Sequence, residues 1–454
     1  MAIETINPAT GKLIKSFSEM TRLEVDNYIN YADLQFQSWK ETTFETRSKL
    51  MFKAADVLKE RKEELGRILT LEMGKPLKQA ISEIEKCAWV CEYYAKNAEN
   101  ILKKEIIETD ASESYVQFDP IGVVLAVMPW NFPFWQVFRF AAPNLMAGNV
   151  GILKHASNVP MSALAIEQVL LQAGFPQNVF RTLLIGSSMV NDVINNPKVK
   201  AATVTGSEGA GKKVASACGK QIKKTVLELG GSDPFIILDD ADIDKAVETG
   251  VTARLINNGE SCIAAKRFIV VEKVYEEFEK KFVEKMKNIK TGDPMEEETE
   301  LGPMAREDLL NDLDGQIRKS VEKGAKILCG GERLERDGYF YPATVIADVV
   351  PGMPAYEEEM FGPAAALIKA KDADDAIRIA NDSSFGLGAS LWTKDIDKAK
   401  ELSHKIDSGS VFINGLVKSD PRLPFGGVKI SGYGRELSHY GMKEFVNIKT
   451  VWIK

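Results

Sequence analysis

Histidine is scarce in this chain, three in 454 residues, and its five cysteines (87, 91, 218, 262 and 329) show no paired spacing. That excludes the common zinc patterns and a disulfide framework. Cys87 and Cys91 stand four apart in an expected helix, Ser82 to Tyr94, without a histidine or further cysteine beside them, and read as helix packing. Long hydrophobic runs are missing too, since Ile121 to Pro129 and Pro234 to Leu238 are too short to span a bilayer. Positive charge is not in excess: Lys plus Arg number 58 against 65 for Asp plus Glu, which argues against a nucleic-acid partner. The first residues lack the charged start, apolar run and small-residue cleavage site of a signal peptide. The expectation is a cytoplasmic, water-soluble protein.

A hydrophobic fraction of 44% and a charged fraction of 27% fit a globular chain, and 454 residues imply more than one ordinary core. Segments of helical period, Thr46 to Thr70 and Met161 to Ala173, alternate with short Val- and Ile-rich runs, Val123 to Val127, Gly151 to Lys154 and Ala202 to Thr205. A second series runs through Phe235 to Leu238, Arg267 to Val271, Thr344 to Asp348, Ala366 to Lys371 and Ser410 to Asn414. Its helices are expected at Tyr275 to Lys290 and Leu309 to Glu322. Alternation of this kind builds parallel α/β sheets with ligands at the carboxyl ends of the strands, so two α/β lobes are expected. Lys104 to Asp119 and Glu444 to Ile453 read as polar, exposed strands, paired either within one monomer or across a subunit interface.

Four segments carry chemistry. In Asn257-Asn258-Gly259-Glu260-Ser261-Cys262 a cysteine follows a glycine turn, on a loop where a thiol is accessible for nucleophilic attack. Glu228, between Leu227 and Leu229 and followed by Gly230 and Gly231, is an acid among apolar neighbours, which raises its pKa and suits a general base; a helix-terminal glutamate is the plainer alternative. Pro129-Trp130-Asn131-Phe132-Pro133 holds an asparagine at a strand's carboxyl end, where its amide is placed to donate to an oxyanion, or serves as a turn alone. Val204 to Gly211 runs from a strand into a glycine-rich helix start, bare backbone for a pyrophosphate, though out of register with GxGxxG.

In order and spacing, these segments resemble the aldehyde dehydrogenase superfamily along essentially the whole chain. Gly259-Glu260-Ser261-Cys262 fits its cysteine signature and Glu228-Leu229-Gly230-Gly231 its glutamate signature; Glu359-Met360-Phe361-Gly362-Pro363, Phe412-Ile413-Asn414 and Pro424 to Lys429 with Ser431-Gly432 match as well. The resemblance implies a Rossmann-like cofactor lobe (1–103 and 120–229), a catalytic lobe (230–431) and a small β oligomerisation element (104–119 and 432–454), giving a homodimer or homotetramer. It implies Cys262 as nucleophile, Asn131 with the Cys262 N–H as oxyanion hole, and Glu228 as the base that activates the hydrolytic water. Trp130, Lys154, Ser157, Gly206, Ser207, Gly211, Leu229, Glu359 and Phe361 would line NAD or NADP: Lys154 and Glu359 at ribose hydroxyls, Gly206 and Ser207 at the pyrophosphate, Phe361 at the nicotinamide.

Departures from the family pattern refine this. NAD-preferring members often carry Lys-Pro-x-Glu where this chain has Lys154-His155-Ala156-Ser157; losing that carboxylate removes repulsion of a 2′-phosphate, so NADP should serve at least as well as NAD. His155 is expected to pack or touch the ribose. Lys-His-Ala-Ser and Phe134 to Val137 resemble the shorter bacterial and archaeal succinate-semialdehyde dehydrogenases, with Arg139 as a carboxylate clamp or a capping arginine, and Ser419 and Phe425 in the substrate pocket beside Asp420 and Arg422. A second arginine of some such enzymes is replaced here by Ile256, which keeps lactaldehyde and glyceraldehyde open as substrates. Ala264 rules out a cysteine-pair switch at the nucleophile. Coenzyme-A-acylating relatives usually lack the glutamate, so Glu228 points to hydrolysis to the free acid. An inactive family member serving as a binding or structural protein is the contrasting reading, and the intact Asn131, Glu228, Cys262 and Glu359 set opposes it.

Overall fold

A computed structural model describes residues 3–454. A six-stranded sheet orders Gly432–Tyr433, Lys224–Glu228, Val199–Thr205, Val123–Met128, Val150–His155 and Phe180–Thr182, parallel except for the first. A seven-stranded sheet orders Lys326–Cys329, Thr344–Ala347, Ala364–Ala370, Arg267–Val271, Pro234–Ile237, Ala389–Trp392 and Val411–Ile413, again parallel but for its first strand. These are the two α/β lobes. A three-stranded antiparallel sheet joins Val446–Ile453, Glu113–Pro120 and Glu105–Ile106, and a hairpin, Ile3–Asn7 with Lys12–Phe17, stands apart.

Central strands such as Val123–Met128 and Arg267–Val271 are buried on both faces, hence continuous in Val and Ile rather than alternating. The helix Trp135–Met146 is buried all round, including Pro143, and packs on the long helix Leu77–Ile101, which carries the buried Cys87 and Cys91. Among the described residues no His/Cys/Asp/Glu group is arranged to hold a metal, and no helix is long and apolar enough to cross a membrane.

Several boundaries differ from expectation. The periodic stretch Thr46 to Thr70 is two helices, Phe44–Glu60 and Lys62–Met73, broken at Arg61. Lys104 to Asp119 is not one strand, because 107–112 leaves the sheet. The oligomerisation element was expected to start at 432, yet Gly432–Tyr433 pairs with Lys224–Glu228 of the six-stranded sheet; only Val446–Ile453 joins the three-stranded one.

The parallel register positions the site. Lys154 and Val204 both lie beside Val127, and Thr205 lies beside Glu228, so the Asn131 turn, Lys154, Gly206 and Glu228 share one sheet edge. Five residues, Leu229 to Asp233, then carry the chain to the strand Pro234–Ile237 of the second lobe. The loop ending at Cys262 precedes the neighbouring strand Arg267–Val271, so the second lobe offers its amino edge to the first lobe's carboxyl edge.

Candidate active site

Cys262 is partly exposed and follows three residues in the left-handed region, Asn257 (φ 58°), Asn258 (φ 59°) and Gly259 (φ 76°). Side chains finance little of that conformation except by hydrogen bonding, and both asparagines do so: Asn257 Nδ2 donates to the carbonyls of Asn131 and Glu260 (both 2.9 Å), and Asn258 Nδ2 to those of Gly74 and Pro303. The Glu260 carboxylate is buried and accepts the Ala305 N–H at 3.0 Å, tying the loop down from beneath.

Burial pushes the Cys262 thiol up to about 12, against the opposing pull of Lys266 and Arg139. Lys266 Nζ donates to the carbonyls of Ser261 and Cys262, each at 2.7 Å, and pairs with Glu359 at 3.2 Å. Lys266 was not singled out from sequence; its place four residues past the cysteine was the available signal.

Glu228 ends a strand, not a helix. It is buried, and neither carboxylate oxygen has a hydrogen-bond partner. Burial holds its pKa well above the usual carboxylate range, reinforced by the Glu436 charge and opposed by Arg139 and Arg435. A buried acid left without partners costs stability, which sets Glu228 apart as a candidate reactive group.

Asn131 donates from Nδ2 to the Glu260 carbonyl at 3.0 Å and accepts from Gln136 Nε2 at 3.2 Å, which aims its amide nitrogen at the cysteine loop. Among the described residues that nitrogen makes no second hydrogen bond, which leaves one N–H to donate. A buried ion pair supports the turn: Lys75 binds Glu83, whose other oxygen accepts the N–H groups of Phe134 and Trp135 at 2.9 Å. From behind, His155 Nε2 meets the Pro133 carbonyl at 2.9 Å, and burial lowers His155 to about 4, so the ring is neutral and structural.

On the first lobe's edge, Ser207 caps the helix Glu208–Lys220 by accepting from Ala210 N–H. Gly206 is open, since a Cβ there would meet nothing nearer than 4.0 Å. Gly211 packs tightly on Leu229, and Gly230 leaves room for the Glu359 carboxylate, which accepts the Gly231 N–H at 3.1 Å. Trp130 and Phe361 meet edge to face at 5.7 Å. Lys154 is buried without an ion pair among the described residues, its pKa lowered by burial, and Ser157 beside it is exposed.

The substrate residues fare differently. Arg139 is not a free clamp: it is 3% exposed, ion-paired with Glu436, 3.3 Å from Thr205 Oγ1 and stacked over Phe425 at 4.6 Å. Sequence could not reveal this, because Glu436 lies in a distant segment. Phe425 is fixed by an antiparallel bridge to Glu436, and buried Ser419 accepts a hydrogen bond from Lys86 Nζ at 2.8 Å. Asp420 is taken up by Arg422.

The Cys262 loop, bonded by the Asn131 amide, and the buried Glu228 thus lie on the facing edges of the two α/β lobes. The model of the aldehyde dehydrogenase family matches residues 1–451. The chain is 52% identical over 453 residues, all of both chains, to a Synechocystis sp. protein named as a probable NADP(+) succinate-semialdehyde dehydrogenase. It is 51% identical to the NADP(+) succinate-semialdehyde dehydrogenase of Mycobacterium avium, covering all of this chain and 97% of that one. A solved Streptococcus pyogenes succinic semialdehyde dehydrogenase in complex with NADP+ superposes with a TM-score of 0.98 at 39% identity, each chain fully covered. With the fold, the site and full-length likeness in agreement, this chain belongs to the aldehyde dehydrogenase family.

Proposed function

We propose that this enzyme oxidises succinate semialdehyde to succinate with NADP+, NAD+ serving as a second cofactor. The observation that carries the chemistry is Glu228, buried with both oxygens unpartnered near the Cys262 loop. The names of full-length relatives support the substrate and cofactor.

The residues present fit NADP. Lys154 is a buried cation without a carboxylate partner among the described residues, and the exposed Ser157 hydroxyl takes the place of an acid that would repel a 2′-phosphate. Gly206 and the Ser207-capped helix offer backbone N–H groups to a pyrophosphate, and Trp130, Leu229, Glu359 and Phe361 enclose the remainder. Bound NADP+ supplies the acceptor for the substrate hydride.

The chain's own residues do the rest. Cys262 adds to the aldehyde carbon as the thiolate, its proton having passed to solvent beforehand, and the nearby Lys266 and Arg139 charges favour the thiolate that burial disfavours. Asn131 Nδ2 and the Cys262 N–H face the resulting alkoxide, each donor worth about 3 kcal/mol in the transition state. After oxidation leaves a thioester on Cys262, Glu228 takes a proton from water as its oxygen attacks the acyl carbon; the C–S bond breaks and the acid departs. A carboxylate raised by burial is a stronger base than one in water.

The three-stranded sheet is the surface through which we expect protomers to join, its Ile106, Ile448, Trp452 and Ile453 being exposed. Five free cysteines suit a reducing cytoplasm.

The test is a panel of initial rates on succinate semialdehyde, lactaldehyde, glyceraldehyde and hexanal with each cofactor, alongside Cys262→Ala and Glu228→Gln. Cys262→Ala should give no NADPH burst. Glu228→Gln should give a burst and then stall, with one succinyl group on the protein by intact mass. Unchanged steady-state turnover in Glu228→Gln would remove the base assignment. An efficiency with NAD+ more than about a hundredfold above that with NADP+, near 2.7 kcal/mol, would overturn the cofactor reading.

A further inference from the structure

The Cys262 N–H, the proposed backbone donor to the alkoxide, donates to nothing else among the described residues. Its direction is therefore set by whatever holds the other end of the same peptide unit. In a trans peptide the C=O points opposite to the N–H, so fixing the Ser261 carbonyl fixes the Cys262 N–H. Two donors reach that carbonyl, the Ala264 N–H at 3.1 Å and Lys266 Nζ at 2.7 Å. Lys266 Nζ also takes the next carbonyl, that of Cys262, at 2.7 Å, and it is the sole donor there among the described residues. Gly231 backs this second peptide unit closely, since a Cβ there would stand 2.7 Å from the Cys262 oxygen.

Lys266 is 1% exposed, and its three ammonium protons are matched by the two carbonyls and by Glu359 Oε1 at 3.2 Å. An ammonium committed in three directions has none of the rotamer freedom of a surface lysine. The charged groups acting on it are the acids Glu359 and Asp233 and the cation Arg254, and among the described residues Glu359 alone is within ion-pairing distance. The ammonium stands at the oxygen end of the Ser261–Cys262 peptide unit, and the alkoxide would stand at its hydrogen end. A cation at the oxygen draws electron density across the amide and makes the N–H a stronger donor, an effect that is largest where water is excluded. Asn131 is aimed by Gln136 and the Glu260 carbonyl, so the two donors to the alkoxide are held by separate supports.

We propose that Lys266 is a positioning residue of the oxyanion hole: by gripping the Ser261 and Cys262 carbonyls from behind, it aims and polarises the Cys262 N–H toward the alkoxide. This rests on the reading that Cys262 is the nucleophile.

The measurement is a ratio of two rates at one pH with NADP+ bound: the NADPH burst on succinate semialdehyde over the alkylation of Cys262 by iodoacetamide. Peptide mass spectrometry separates Cys262 from the partly exposed Cys329. Both rates need the thiolate, but only the first passes through an oxyanion, so the ratio cancels any effect of Lys266 on the thiol proton. In Lys266→Met it should fall about 30-fold, less than the hundredfold or more expected when a donor is deleted outright. Lys266→Arg keeps the charge and the reach to both carbonyls, and should return the ratio to within about fivefold of wild type. If Lys266→Met does not fold, Lys266→Gln is read by the same ratio. A ratio within about threefold of wild type in the folded variant overturns the proposal, because damage to the loop or to the thiolate lowers both rates together. A burst that persists in Cys262→Ala removes the nucleophile reading beneath it, and that result is visible before any Lys266 variant is made.

Discussion

At the scale of residues, burial decides what each charge can do. His155 is neutral in the fold at about 4 and titrates near 6.5 when unfolded, so the unfolded chain takes up a proton that the folded one refuses. Its contribution is whole above pH 6.5 and is lost as pH falls toward 4. The stability of wild type relative to His155→Gln should therefore decline by about 2 kcal/mol between pH 7 and pH 5, measured by urea unfolding. A constant difference would show that the ring takes up its proton as readily in the fold as in the unfolded chain. Taking the difference matters because the buried carboxyls Glu72 and Asp233, both raised to about 7, titrate in the opposite sense. Cys262, Glu228 and Asn131 could be singled out as candidates from sequence because each sits in a short contiguous segment. Arg139 was not, since its partner comes from the far end of the chain. Lys266 and Lys75 escaped for a different reason: a lysine reads as surface until folding buries it.

Among elements, the left-handed turn before Cys262 leaves little room for replacement. A Cβ at Gly259 would stand 2.4 Å from the Gly362 carbonyl oxygen and 2.8 Å from Pro363 N, both backbone atoms, at a φ of 76°. Gly259→Ala should cost about 2–4 kcal/mol and lower kcat at least tenfold, with secondary structure by circular dichroism retained. A variant with wild-type kcat would mean that the turn is not what aims Cys262. The central strands were readable from their Val- and Ile-rich runs, whereas Phe180–Thr182 and Lys224–Glu228 were too short or too polar at one end to stand out. The break at Arg61 was hidden because Phe44–Glu60 and Lys62–Met73 keep a helical period through it.

For the molecule as a whole, the lobes were foreseen and the C-terminal segment was misjudged, because a run's sheet partner depends on topology rather than on its own pattern. Val446–Ile453 pairs along its full length with Glu113–Pro120. Deleting residues 446–454 strips that pairing, and sedimentation should then report smaller particles than wild type; an unchanged mass would move the interface elsewhere. The stretch just before it passes the candidate active site. Between Tyr433, hydrogen-bonded to Thr225 of the Glu228 strand, and Val446 lies Glu436, the counter-ion of Arg139 and the acid that helps to hold Glu228 high. One short stretch of chain thus places a charge that raises Glu228 at one end and a candidate subunit contact at the other, so the two features share a single run of backbone.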